Sequence, residues 1–193
     1  MSKFIKLSVW LIIYFSLQAC TSAHLRPVAN PKEAMKPNPG KAMVVFMRPS
    51  NFGGAIQSTI YDGKKYISTV SAGTRAAYQA DPGEHMFMVI GESADFMKAT
   101  LDVGKTYYAI VAARFGVWKA RFSFKPVRRT ESKEQIDGWL GSTKLMEANE
   151  EGLQWAKQQE SDIADKWLSY VDKWKAKDQA ARDAQTLFAG DGR

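Results

Sequence analysis

Between Lys41 and Val127 the chain alternates short apolar runs with turn-forming residues, and no run there is long enough for a stable helix. Lys41–Arg48 is the first run, apolar and β-branched enough for a central strand. Ile56–Tyr61 and Tyr66–Val70 flank Asp62-Gly63-Lys64-Lys65. Asp-Gly between two such runs predicts a hairpin with a type I′ turn, whose two central residues need positive φ. Ala72-Gly73 leads into Thr74–Ala80, and Asp81-Pro82-Gly83 into Glu84–Ile90. Gly91-Glu92-Ser93 and Asp102-Val103-Gly104-Lys105 punctuate the next two runs. Arg114-Phe115-Gly116 joins Thr106–Ala113 to Val117–Val127. Glycine supplies positive φ at such turns and proline cannot donate to a ladder, so the pattern predicts a small antiparallel β-sandwich over residues 41–130.

The last run alternates with period two. Trp118, Ala120, Phe122 and Phe124 point one way, and Lys119, Arg121, Ser123 and Lys125 the other. A lysine-rich outer face is an ordinary defence of an edge strand. The sharper reading makes Lys119, Arg121 and Lys125 a face for an anionic partner. Asn51-Phe52-Gly53-Gly54 is glycine-rich but lacks the context and lysine of a phosphate loop, and reads as a mobile loop.

Four pieces of this region occur in a recognisable order: Val44-Val45-Phe46-Met47-Arg48-Pro49-Ser50, Tyr61-Asp62-Gly63-Lys64, Pro82-Gly83-Glu84-His85 and Gly104-Lys105-Thr106-Tyr107-Tyr108. Together they resemble the bacterial family catalogued as domain of unknown function 2846, over roughly residues 41–128. The resemblance implies a small β-sandwich in an exported lipoprotein. It implies no activity and brings no functional residues with it.

After Pro126 no proline occurs, and the pattern changes to helix. Ser132-Lys133-Glu134-Gln135 has the form of a capping box, with Ile136, Trp139 and Leu140 as the apolar side and Gly141 as the end. A longer helical stretch is expected from about Thr143 to Phe188, interrupted at Glu160-Ser161, with Ser161 capping the second part and Gly152 weakening the first. At a seven-residue step it presents Met146, Leu153, Glu160, Trp167, Trp174, Ala181 and Phe188, most of them apolar. A water-exposed row of this kind needs a cover, so the stripe is expected to pack on the β-domain. Charge supports that docking: residues 41–130 carry 13 basic and 6 acidic side chains, and residues 131–193 carry 9 and 13. The expected fold class is α+β, with residues 131–193 a helical extension packed on the sandwich.

The N-terminus gives an address. Lys3 and Lys6 precede the apolar run Val9–Phe15, Ser16 interrupts it, and Leu17-Gln18-Ala19-Cys20 follows. The run is too short to span a bilayer, which needs roughly 20 apolar residues. Residues 1–19 read as a signal peptide. Ala19-Cys20 resembles the lipobox of bacterial lipoproteins, in which the cysteine is acylated; Gln18 is not the usual small residue there. Cys20 is the only cysteine of 193 residues, so it has no disulfide partner within the chain. Two or three acyl chains give a stable anchor where one would not. Thr21, in place of a retention-favouring Asp, favours the periplasmic face of the outer membrane, or the cell membrane of a Gram-positive source. Residues 20–40 carry Pro27, Pro31, Pro37 and Pro39 and read as a linker leaning towards polyproline II.

Little chemistry is on offer. The histidines are His24, in the linker, and His85, beside a turn where it is expected to hydrogen-bond rather than catalyse. With Cys20 acylated, a zinc site lacks ligands, and no cofactor motif occurs. Export argues against nucleic acid despite the net charge of +7. Two readings remain: a non-catalytic, lipid-anchored module that binds an envelope protein or anionic polymer, and a hydrolase of cell-wall glycan or peptide using carboxylates. Clustering of Glu84, Glu92 and Asp95 in one cleft favours the second.

Overall fold

In a computed structural model of the chain, the described residues are 23–54, 56–114 and 121–193. The apolar run β2 (Ala42–Arg48) is buried at all seven positions. A strand buried on both faces belongs mid-sheet, and β2 lies between β5 (Thr74–Ala80) and β8 (Thr106–Arg114). Beyond β5 come β10 (Lys144–Ala148) and β1 (Leu25–Pro27), and beyond β8 the edge strand β9 (Arg121–Pro126). The second sheet runs β11 (Thr186–Leu187), β7 (Ala94–Leu101), β6 (Gly83–Ile90), β3 (Ser58–Asp62), β4 (Lys65–Val70).

The two sheets face each other across one core. Phe46, Tyr107, Val111 and Phe124 of the first meet Ile60, Phe87, Val89 and Met97 of the second. The other face of β2 puts Met43, Val45 and Met47 under Ile136 of α2 (Lys133–Gly141) and beside Met35, which follows the short α1 (Pro31–Ala34). The outer face of the second sheet is covered by α4 (Glu160–Lys175). Ile163, Trp167, Tyr170, Val171 and Trp174 share one helical face and pack on Tyr61, Met88, Ile90 and Phe96. Trp167 stands edge-on to Phe96 at 5.1 Å. The Trp167 and Trp174 part of the expected stripe docks in cis, whereas Leu153 and Phe188 are exposed and Met146 lies in β10. Mixed α and β structure with two sheets is the architecture.

Several details differ from expectation. The sheets are not purely antiparallel: β2–β8, β10–β5 and β11–β7 are parallel pairs. After β2 the chain visits the second sheet for β3 and β4, returns for β5, leaves again for β6 and β7 and returns for β8. Strands β2 and β8 are therefore joined by crossovers rather than a hairpin, as parallel neighbours require. Residues 131–193 are no separate extension, because β10 joins the first sheet and β11 the second. The described part of the expected linker is likewise built into the fold: Leu25 pairs with Ala148, and His24 stacks on Trp155 at 5.2 Å. The helical stretch from Thr143 is in fact β10, α3 (Glu150–Gln158), α4 and α5 (Gln179–Ala184). It breaks at Gln159, not by a cap at Ser161. Ser132 does cap α2, accepting from the Gln135 N–H at 3.1 Å. At the β3–β4 turn only Gly63 has positive φ, as in a type II′ turn, so the type I′ expectation fails at Lys64. Gly152 does more than weaken α3, since a side chain there would fall on the His24 carbonyl.

The loop after β2 is not left loose. Arg48 is fully buried, and its guanidinium donates to the carbonyls of Ile56, Phe52 and Gly53 at 2.5, 3.2 and 2.7 Å. Burial lowers its pKa. It also lies 4.7 Å from the Phe122 ring centre.

Candidate functional site

At one end of the β6–β7 hairpin, the start of β7, the end of β8 and the start of β9 meet the C-terminal half of α4. They enclose a cleft of about 390 Å³. Its apolar surface comes from Phe96, Phe122, Tyr170 and Trp174. The period-two alternation of β9 turns Phe122 inward, where it is 3% exposed. The Trp174 indole N–H is buried and meets no acceptor among the described residues.

Charge in the cleft is one-sided. Arg114, Arg121, Lys173 and Lys177 line it, against Asp95. Asp95 is already occupied. One oxygen accepts from the Lys177 ammonium at 3.0 Å, and the other accepts from the Gln185 amide at 2.5 Å. Arg114 is 3.9 Å from Asp95, beyond hydrogen-bond reach. Arg121 has no ion pair among the described residues. Arg114 and Arg121 are direct cross-strand partners on β8 and β9. Like charges placed opposite each other on adjacent strands repel. The Lys173 ammonium sits 4.7 Å from the Tyr170 ring centre. This arrangement can hold an anion beside an aromatic wall.

Of the residues read as an anionic-partner face, Arg121 lines the cleft. Lys125 is exposed farther along β9, opposite Ile110. Ser123, between them, is buried, so the outer row of β9 is not uniformly solvated. Lys119 and Cys20 lie outside the described residues. Arg114, Lys173 and Lys177 were not legible as site residues, because strand register and helix docking bring them together. A weak signal existed in arginines on both sides of the expected hairpin turn.

Glu84 stands apart from the other end of the hairpin, so the three carboxylates weighed for hydrolysis do not share one cleft. Glu84 faces Thr100 and Asp95 faces Val89, so about 17 Å of strand separates them along β6. A glycosidase pair stands roughly 5–9.5 Å apart. Glu84 is engaged by Lys98 at 2.6 Å and Thr100 at 2.5 Å, and the Lys98 hydrogen bond holds its carboxyl below the usual range.

His85 does bond its turn. Nδ1 meets the Asp62 carboxylate at 2.7 Å and Nε2 the Asp81 carbonyl at 2.8 Å. Both partners are acceptors, so the site favours the imidazolium, in which both ring nitrogens donate. The Asp62 hydrogen bond accordingly raises its pKa. Tyr78 donates to the same Asp62 oxygen at 3.0 Å, and its own pKa is pushed up, chiefly by burial. Among the described residues no group of three His, Cys, Asp or Glu could hold a metal ion, and no helix is long and apolar enough to cross a membrane.

No protein-family model matches the chain, and neither a curated protein nor a solved structure does.

Proposed function

We propose that the chain is a lipid-anchored envelope protein that acts as a non-catalytic binding module. The carrying observation is the make-up of the cleft. It offers cations and aromatic surface, and its carboxylate is held by Lys177 and Gln185 rather than left to act as a base. The two open sheets are read as a β-sandwich that presents this cleft at one end. Cys20 supplies the anchor, and Thr21 favours the periplasmic face of the outer membrane. The partner is an anionic envelope component, and nucleic acid is not expected in that compartment. The exported lipoprotein family that residues 41–128 resemble is in keeping with this reading.

Mass spectrometry of the membrane fraction tests the anchor. The mature chain should begin at an acylated Cys20. A Cys20→Ala variant should lose both cleavage and acylation. Acyl-free mature protein in the membrane would contradict the anchor. Turnover of purified envelope polymers, abolished by a single carboxylate substitution, would contradict the non-catalytic role.

A further inference from the structure

We propose that the cleft between β9 and α4 binds an organic phosphate, its phosphoryl group between Arg114 and Arg121 and its apolar or ring-shaped body against Tyr170 and Trp174. This rests on the binding-module reading and names the ligand class of that site.

Three observations converge. The first is the opposed arginine pair. Arg114 and Arg121 face each other across β8 and β9, and no carboxylate among the described residues lies within hydrogen-bond distance of either. Asp95, 3.9 Å from Arg114, offsets their repulsion only in part, and a bound anion would relieve the rest. The second is the count of charge. Asp95 is hydrogen-bonded by Lys177 and shared at 3.9 Å with Arg114, so one carboxylate faces four cations and the excess charge of Arg114, Arg121 and Lys173 is left for a ligand. A single carboxylate is satisfied by one guanidinium fork, whereas a phosphate dianion offers three oxygens and the charge to engage two forks and an ammonium. The third is the wall. Phe96 and Phe122 are buried at the base and Trp174 is 5% exposed, so the cleft continues from its charged rim onto apolar surface. A volume of about 390 Å³ accepts a small organic group as well as the phosphate.

The paired charges elsewhere sharpen the contrast. Lys41 holds Asp81 at 2.6 Å, Lys98 holds Glu84 at 2.6 Å, and Lys105 holds Asp102 at 2.7 Å. Lysines in those places have their anion within the fold. Lys125, although exposed on the same strand as Arg121, has no aromatic cleft beside it and serves as an internal control.

The test is calorimetric titration of the full mature chain in detergent, with phenyl phosphate, inorganic phosphate and dihexanoyl phosphatidic acid as probes. Phenyl phosphate should bind saturably and about tenfold tighter than inorganic phosphate, because its ring leaves water. The Arg114→Gln/Arg121→Gln pair should lose tenfold or more, since charged hydrogen bonds are removed. Lys125→Gln should change affinity by less than about twofold. The arginine variant should unfold at an unchanged or higher temperature, which shows that lost binding is not lost folding. Competition by the phosphatidic acid assigns the source to a lipid headgroup, and failure to compete assigns it to a soluble ester; either supports the class. Absence of saturable binding at millimolar phenyl phosphate, equal affinity for the two phosphates, or binding that survives the arginine substitutions would overturn it. Failure here with Cys20 acylated sinks the ligand and leaves the anchor, whereas binding by an unacylated chain does the reverse.

Discussion

The two ends of the β6–β7 hairpin treat charge differently. At the Gly83 end, His85 meets Asp62, Lys98 meets Glu84, Lys41 meets Asp81 and Lys105 meets Asp102. At the Ser93 end, four cations face one aspartate, and two of them are opposed arginines. A fold needs charges that are matched or solvated. Cations set opposite each other over aromatic surface add nothing to folding, so their presence points to a ligand. On the proposed reading the first end serves stability and the second binding.

The largest effect should come from removing the tryptophans that dock α4 on the second sheet. Trp167→Ala and Trp174→Ala should each cost about 3–5 kcal/mol in urea unfolding, because both pack in the layer over the second sheet. Raised salt should leave that loss nearly unchanged, since burial rather than charge supplies it. Wild-type stability in the Trp174→Ala chain would mean that α4 is not part of the core.

Asp95→Asn comes next. It should destabilise by about 2 kcal/mol, because Lys177 loses its partner in a mostly buried pair. The same change removes the cleft's carboxylate and should tighten phenyl phosphate binding. Stability and affinity moving in opposite directions would sharpen the contrast between the ends. Loss of both would break it.

His85 makes the matched end sensitive to pH. Its folded pKa is raised, so its contribution is fully present below the unfolded value of about 6.5 and is lost as pH rises through the folded value. Urea unfolding from acid to alkaline pH should show stability falling across that window. His85→Phe should remove the step while leaving phosphate binding intact. A step that persists in His85→Phe would assign it to another group.

The smallest effect concerns the opposed arginines. Arg114→Gln should stabilise the free protein slightly, by about 0.2–1 kcal/mol, as a like-charge pair is relieved. Thermal melts at low salt should register it. A destabilised variant would mean that the repulsion is already compensated.

Much of the framework was legible because it is local. The turns at Asp62-Gly63, Ala72-Gly73 and Asp81-Pro82-Gly83 stand where glycine and proline put them, and the strands between follow. The helical stripe was legible because Ile163, Trp167, Tyr170 and Trp174 repeat at helical spacing. What escaped was non-local. Leu145 and Met146 fit a helical step as well as a strand, and β10 forms because its Lys144 N–H reaches the Gly73 carbonyl at 2.9 Å. The Leu25–Ala148 pairing cannot be read from a proline-rich stretch. The cleft escaped for the same reason. Arg114 and Arg121 become opposed only through hairpin register, and Lys173 reaches them only through the docking of α4.

Amide NMR titration with phenyl phosphate tests the asymmetry between the two ends most directly. The predicted result is saturable shifts confined to Ser93–Phe96, Arg114, Arg121–Phe122 and Tyr170–Lys177, the segments around the cleft. Shifts centred on the His85–Asp62 end, or spread evenly over the surface lysines, would contradict the assignment of the cleft as the binding site.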